Sequence, residues 1–380
     1  TDALGRAVLL HGVNFVEKAA PFYPAAVGFD GDDADFLAAR GWNAVRLGVV
    51  PEGLMPSPGQ IDETYVEALA ATVEVLAARG IFVLLDFHQD GYGPLVHGNG
   101  MPAWATLTDG LPNPNDPFPI YYVTNPALQR AFDNFWLNRP GPDGVPLQTH
   151  YAAAARRIAE RFRGEPYVLG HEPMNEPWSG TEWAPCGVSC PDIEAERLVP
   201  FYRRIAGVVR GADPRRLVFL EPFVLFDFGH ADTSLPAIGQ PRNALSFHVY
   251  GSTEADDLAA MDHAIASSAR FGHALVATEW GATNDPAAIR NRAAQFDSRL
   301  LPWIFWAYNE NVIRDPHQPP TDANLRTDVV AALTRPYPLA TNGTPTANDA
   351  PAKPSRNPKP RTAGQESLNS ASPISGTGVK

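Results

Sequence analysis

A chain of 380 residues, 44% of them hydrophobic, can bury one large core or two modest ones. Its net charge of −12 includes no basic run of the kind that tracks a phosphate backbone, which argues against a nucleic-acid partner. No stretch approaches the ~18 consecutive apolar residues of a membrane-spanning helix, leaving at most peripheral contact with a membrane.

In chain order, apolar runs alternate with amphipathic stretches. Strands are expected over residues 8–15, 44–49, 81–87, 168–174, 216–220, 244–249, 274–278 and 303–307. Helices are expected between them, over 64–79, 149–162, 193–209, 254–271 and 286–296, with a closing helix over 324–333. Eight strands alternating with helices fit a (β/α)8 TIM barrel with long βα loops better than an open dinucleotide-binding sheet. No Gly-x-Gly-x-x-Gly follows the first strand.

Lysine marks a boundary. Residues 1–350 contain one, Lys18, and the last thirty contain Lys353, Lys359 and Lys380. From Thr341 onward the chain has no aromatic residue and is rich in Thr, Asn, Gly, Pro, Ser and Ala. Such a stretch cannot bury enough apolar surface to offset its ordering entropy. A catalytic domain over 1–338 and a low-complexity, disordered tail over 339–380 are therefore expected. Cys186 and Cys190, four apart, suggest a local disulfide, with free thiols the alternative. A disulfide would place folding in an oxidising compartment, and a secreted protein is expected. Thr1 opens the chain, and Val8-Leu9-Leu10 is too short for a signal h-region.

The chemistry gathers where strands end. Glu176 closes Tyr-Val-Leu-Gly-His-Glu-Pro-Met-Asn-Glu-Pro-Trp (167–178), and Glu279 closes Ala-Leu-Val-Ala-Thr-Glu-Trp-Gly (274–281). In such a barrel two strand-end carboxylates can face one sugar from opposite sides, one as acid and the other as nucleophile or base. That pattern points to a glycoside hydrolase. Other strand ends offer Lys18, Arg46, His88 and Asp90, Asn175, His248 and Tyr250, and Trp306. Arg46, Tyr250 and His248 beside a carboxylate would keep it ionised. No metal is expected, since neither His88 nor His248 has a carboxylate or cysteine partner at ligand spacing in sequence.

The motifs His11-Gly-Val-Asn14 with Lys18, Leu84-Leu-Asp-Phe-His-Gln-Asp90, Glu172-x-x-Asn-Glu-Pro-Trp178, His248-Val-Tyr250 and Thr278-Glu-Trp-Gly281 resemble family 5 of the glycoside hydrolases. Within that family they resemble the endoglycoceramidases. The resemblance implies that Glu176 is the acid/base and Glu279 the nucleophile. It implies that Asn175 bonds the sugar 2-hydroxyl, and that His88 and Asp90 lie on the glycan side of the cleavage point. Arg46, His248 and Tyr250 would surround the nucleophile, Trp306 would be a stacking platform, and Lys18 a further sugar contact. The implied activity is retaining release of intact glycans from glycosphingolipids by a cofactor-free monomer. The alternatives are a β-glucanase or a steryl- or alkyl-β-glucosidase of the same barrel type, or an impaired fragment that only binds carbohydrate. Endoglycoceramidases usually carry a β-sandwich after the barrel, and a polar tail stands in its place here.

Some residues admit a plainer reading. Glu172, mid-strand, is expected to be a hydrogen-bonded structural carboxylate. Trp280 fits the core as well as it fits a sugar. Glu221, at the end of the fifth strand, has no assigned role. Apolar loop segments at 101–104 and 223–228 would suit a lipid aglycone.

Overall fold

A computed structural model describes residues 7–235, 238–338 and 340–341. Eight parallel strands close into a barrel in sequence order. They are β1 (His11–Phe15), β2 (Ala44–Val49), β3 (Phe82–Phe87), β4 (Val168–Glu172), β5 (Leu217–Leu220), β6 (Asn243–Val249), β7 (Ala274–Trp280) and β8 (Trp303–Phe305). Closure is made by β8 pairing back on β1, with Trp303 opposite His11. The expected (β/α)8 barrel is the observed fold.

Among the described residues, helices that follow the strands around it are α1 (Gly31–Ala39), α2 (Glu63–Ala77), α3 (Leu147–Arg161), α4 (Val199–Ala212), α5 (Glu254–Phe271), α6 (Pro286–Ser298) and α7 (Thr327–Leu333). One follows each strand except β5, where a 3-10 turn over Val224–Phe228 takes its place. Helix α1 was not expected. Its start was nonetheless written in the chain as a capping box, with Asp30 accepting at one end and Asp33 answering from the third helical position. The loop after β3 holds another unexpected helix, Pro126–Trp136, capped by the Asn125 side chain on the Leu128 N–H.

Strand alternation sets two layers. Val45, Leu47 and Val49 join the large core between barrel and helices, whereas Ala44, Leu84, Phe219, Ala244, Val276 and Ile304 form a smaller apolar cluster. One residue pair further along, the same inward faces turn polar, with Arg46, Asp86, Glu172, Ser246 and Thr278 all buried. A functional layer therefore rests on an apolar floor.

The expected domain boundary at 338/339 falls inside the described structure. Ala340 and Thr341 pair antiparallel with Val8 and Ala7, so the barrel unit continues through Thr341. The expected disordered tail from 342 to 380 lies outside the described residues. Cys186 and Cys190 form a disulfide in the loop after β4.

Candidate active site

Two backbone irregularities aim the paired glutamates. Strand β4 stops at Glu172, shorter than expected, and Glu176 follows in a loop with φ +41°. Left-handed backbone is unfavourable for a residue with a Cβ, and such strain clusters at functional sites. The peptide is held on both sides, by Glu221 Oε1 accepting the Glu176 N–H at 3.0 Å and by Gln89 Nε2 donating to the Glu176 carbonyl at 3.1 Å. On β7 the register against β6 slips by one residue: Phe247 faces Ala277, but His248 faces Glu279. This bulge leaves Thr278 over, and both Thr278 and Glu279 bond inside the barrel. Gly281, just beyond, sits at φ +105°, and a Cβ there would lie 2.3 Å from the Phe305 ring.

Arg46 ties the layer together. Its Nε meets Glu172 Oε2 at 2.5 Å, and one terminal nitrogen meets Glu279 Oε1 at 2.5 Å and Asn14 Oδ1 at 3.0 Å. The other donates to Asn175 Oδ1 at 2.7 Å and lies 3.1 Å from Asp86 Oδ1. One guanidinium thus contacts groups from four other strands or strand ends, which suits its planar fork of donors. Glu172 is structural, as expected. Tyr250 donates to the second Glu279 oxygen at 2.9 Å.

His248 stands between the two glutamates. Its Nδ1 lies 2.9 Å from Glu176 Oε1 and 3.7 Å from Glu279 Oε2. Those two legs keep the oxygens no more than about 6.6 Å apart, short of nearly all of the ~6.5–9.5 Å window of inverting enzymes. Burial lowers the His248 pKa to about 4, with Arg46 adding to the effect against Glu279, so the ring is neutral at pH 7. Burial lifts Glu176 to about 7, helped by Asp90 and opposed by His88, Lys18 and Arg46. Burial also lifts the Glu279 carboxyl, against the pull of Arg46. The Arg46 contact therefore favours the charged form, as expected, without cancelling desolvation.

A second charged group lines the same cavity. Lys18 Nζ sits 2.7 Å from Asp90 Oδ2 and 4.5 Å from the centre of the Trp306 ring. His88 stacks on Trp306 with ring centres 5.4 Å apart, and its nitrogens lie 2.7 Å from Asp86 and 3.4 Å from Asp90. Burial opposes charge on His88, but Asp86 and Asp90 outweigh it and raise its pKa to about 9. Burial likewise opposes charge on Asp90, yet Lys18 and His88 hold its pKa well below the usual carboxylate range.

All ten expected site residues meet around one cavity of about 730 Å³. Lys18, Asp90, Glu176, Tyr250, Glu279 and Trp306 line it. Arg46, His88, Asn175 and His248 have no exposed surface and lie behind the lining residues. Phe118, Ile120, Val224, Leu225 and Phe228 add apolar surface to the same cavity. Of the two apolar segments expected there, 223–228 contributes and 101–104 does not. Met101 is buried in the core, and Trp104 donates to the Met55 carbonyl at 2.9 Å. Trp280 is a core residue, packed against Phe296, Trp303 and Phe305. A separate cavity of about 830 Å³ holds none of the expected site residues, and Arg130 and Arg197 on its wall pair with Asp109, Asp133 and Glu182.

Sequence reasoning missed Asp227, which reaches His248 from the turn after β5. Its Oδ1 accepts the His248 N–H at 3.3 Å, and its Oδ2 lies 3.7 Å from Nδ1. With Glu176 and His248 it also corrects the expectation that strand-end histidines lack carboxylate partners: ligand atoms from the three lie within 4.8 Å of one another. They come from three strand ends, which sequence spacing cannot reveal. The His248 nitrogen nearest this trio is already engaged with Glu176. Activity is therefore expected to survive EDTA, and a loss above about tenfold that zinc or calcium restores would show that the trio binds metal.

A parallel barrel with two buried carboxyls meeting at strand ends on one cavity is the arrangement that glycoside hydrolases use. The sequence matches the cellulase family, glycosyl hydrolase family 5, over residues 5–312. Endoglycoceramidase I of Rhodococcus hoagii (strain 103S) is 34% identical over 375 residues, covering 90% of this chain and 72% of that protein. The ganglioside GM3 complex of endo-glycoceramidase II from Rhodococcus sp. aligns with a TM-score of 0.76 at 28% identity, over 91% of this chain and 83% of its own. A crystal structure of an endogalactoceramidase gives a TM-score of 0.76 at 26% identity, over 91% and 85%. The chain belongs to glycoside hydrolase family 5, as an endoglycoceramidase-like member.

Proposed function

We propose that this enzyme is a retaining endo-β-glycosidase that releases intact glycans from glycosphingolipids, cleaving the β-glucosidic or β-galactosidic bond to ceramide. The observation that carries this reading is the meeting of Glu176 and Glu279 on His248, at a cavity lined by both charged and apolar side chains. Relatives that act on such lipids, one of them seen with ganglioside GM3, support the substrate class.

Glu279 attacks the anomeric carbon while Glu176 gives its proton to the departing ceramide oxygen. Arg46 and Tyr250 hold the Glu279 oxygens, so the nucleophile keeps one orientation. Ionised Glu176 then takes a proton from water, which hydrolyses the glycosyl-enzyme and restores the acid. Lys18, Asp90 and Trp306 would hold the first sugars, by hydrogen bonds and by stacking on the indole. The wall of Phe118, Ile120, Val224, Leu225 and Phe228 would take the lipid, a surface that a polysaccharide does not need. Incubation with a fluorescent ganglioside and with carboxymethyl cellulose tests the choice. Ceramide released with intact oligosaccharide supports it, and cleavage of the cellulose derivative alone refutes it.

Glu176→Ala separates the two roles. Activity on the glycolipid should fall at least about 10²-fold, while a dinitrophenyl glycoside, whose leaving group needs little protonation, should lose far less. With Glu176 near 7, cleavage of the glycolipid should decline as pH rises through about 7, because the general acid ionises. A pH profile on the aryl glycoside should lack that decline. Equal losses on both substrates would remove Glu176 from the acid role. The disulfide supports folding in an oxidising compartment, and we propose secretion on that ground. A monomer is proposed, checked by the mass in solution.

A further inference from the structure

The carboxyl of Glu221, directly after β5, has no part in the chemistry above, yet it touches the acid/base once directly and once through His248. It is fully buried. Its Oε1 accepts the N–H of Glu176, the bond that closes one side of the left-handed peptide at φ +41°. The same oxygen lies 3.5 Å from Nε2 of His248, whose Nδ1 meets the Glu176 carboxyl at 2.9 Å. The backbone of Glu221 is itself held, its carbonyl accepting from Tyr202 Oη at 2.6 Å.

The two ends of the imidazole differ. Around Nδ1 stand Glu176, Asp227 and Glu279, with oxygens at 2.9, 3.7 and 3.7 Å. Nε2 faces Glu221, and both Nε2 and Glu221 Oε2 are buried without a hydrogen-bond partner. A neutral ring carries one N–H, and the 2.9 Å contact from Nδ1 to Glu176 Oε1 places it at Nδ1. Nε2 is then an acceptor, and an acceptor without a donor is costly when buried. A neutral carboxyl supplies that donor. Burial, with Glu172 and Asp227 adding to it, pushes the Glu221 pKa well above the carboxylate range, which agrees with a neutral form.

We propose that Glu221, as a neutral acid, is a positioning residue for the acid/base. Through one oxygen it holds the strained Glu176 backbone, and through its O–H it fixes His248 as the Nδ1–H form that bonds Glu176. No proton is consumed, and Glu221 keeps its own through the cycle. The proposal rests on Glu176 being the general acid.

Glutamine keeps a carbonyl for the Glu176 N–H and stays neutral, as a protonated glutamate does, with an N–H in place of the O–H. Glu221→Gln is therefore expected to stay within about threefold of the parent on the glycolipid, whereas Glu221→Ala should lose about 10²-fold there and far less on a dinitrophenyl glycoside. A merely structural role would lower both substrates together. The proposal is overturned if Glu221→Gln falls as far as Glu221→Ala, or if Glu221→Ala shows no split between substrates. Should the alanine variant not fold, the glutamine variant and ¹⁵N-histidine NMR of the parent decide. An Nδ1–H signal for His248, assigned by its loss in His248→Asn, supports the proposal, and an Nε2–H signal refutes it. If Glu176→Ala itself shows no split, the underlying acid assignment has failed. If it does and Glu221→Ala does not, this inference alone has failed.

Discussion

Glu279→Gln is expected to lower turnover by about 10⁴-fold or more on every substrate, glycolipid and aryl glycoside alike. An amide does not attack the anomeric carbon, and a good leaving group cannot compensate for a missing nucleophile. This uniform loss contrasts with the leaving-group dependence expected of Glu176→Ala, and the contrast tells nucleophile from acid. The fold should survive, because Arg46 keeps Glu172 and Asp86 as counter-charges. A 2-deoxy-2-fluoro glycoside should add its glycosyl mass to the parent enzyme and not to the variant. Retention of more than about a hundredth of the activity would show that Glu279 is not the nucleophile.

Arg46→Met is the change with the largest expected effect on stability. The guanidinium is fully buried among Glu172, Asp86 and Glu279, so its removal leaves buried carboxylates with no counter-charge. Losing one partner of a buried ion pair costs about 3–5 kcal/mol. The melting temperature should drop by roughly 5–10 °C, and activity should vanish because Glu279 loses its orientation. Arg46→Lys should not rescue it, since one ammonium cannot reach five partners from a single plane. Thermal unfolding followed by circular dichroism checks both variants, and a lysine variant as stable and active as the parent would refute the bracing role.

The strands were legible because each is an apolar run whose alternate residues face two buried layers. Arg46 within Ala44–Val49 and Glu172 at the end of β4 stood out for the same reason, as charges in otherwise buried strands. The paired glutamates were legible from their strand ends. The roles of Glu221 and Asp227 were not, because their partners lie on other strands: Glu221 meets Glu176 and His248, and Asp227 meets His248. The one-residue slip that turns Glu279 inward is also invisible in sequence, since it depends on the register between β6 and β7. The long segment between β3 and α3 yielded least. Its apolar residues serve two ends, with Met101 in the core and Phe118 and Ile120 at the cavity, and composition alone does not separate them.

Proton NMR of a ganglioside digest in its first minutes tests the central claim most directly. Retention by Glu279 and Glu176 requires that the intact oligosaccharide appear first as its β-anomer, with the α-anomer growing in later by mutarotation. An α-anomer formed first, or single sugars in place of the oligosaccharide, would contradict a retaining endo-glycosidase built on this pair.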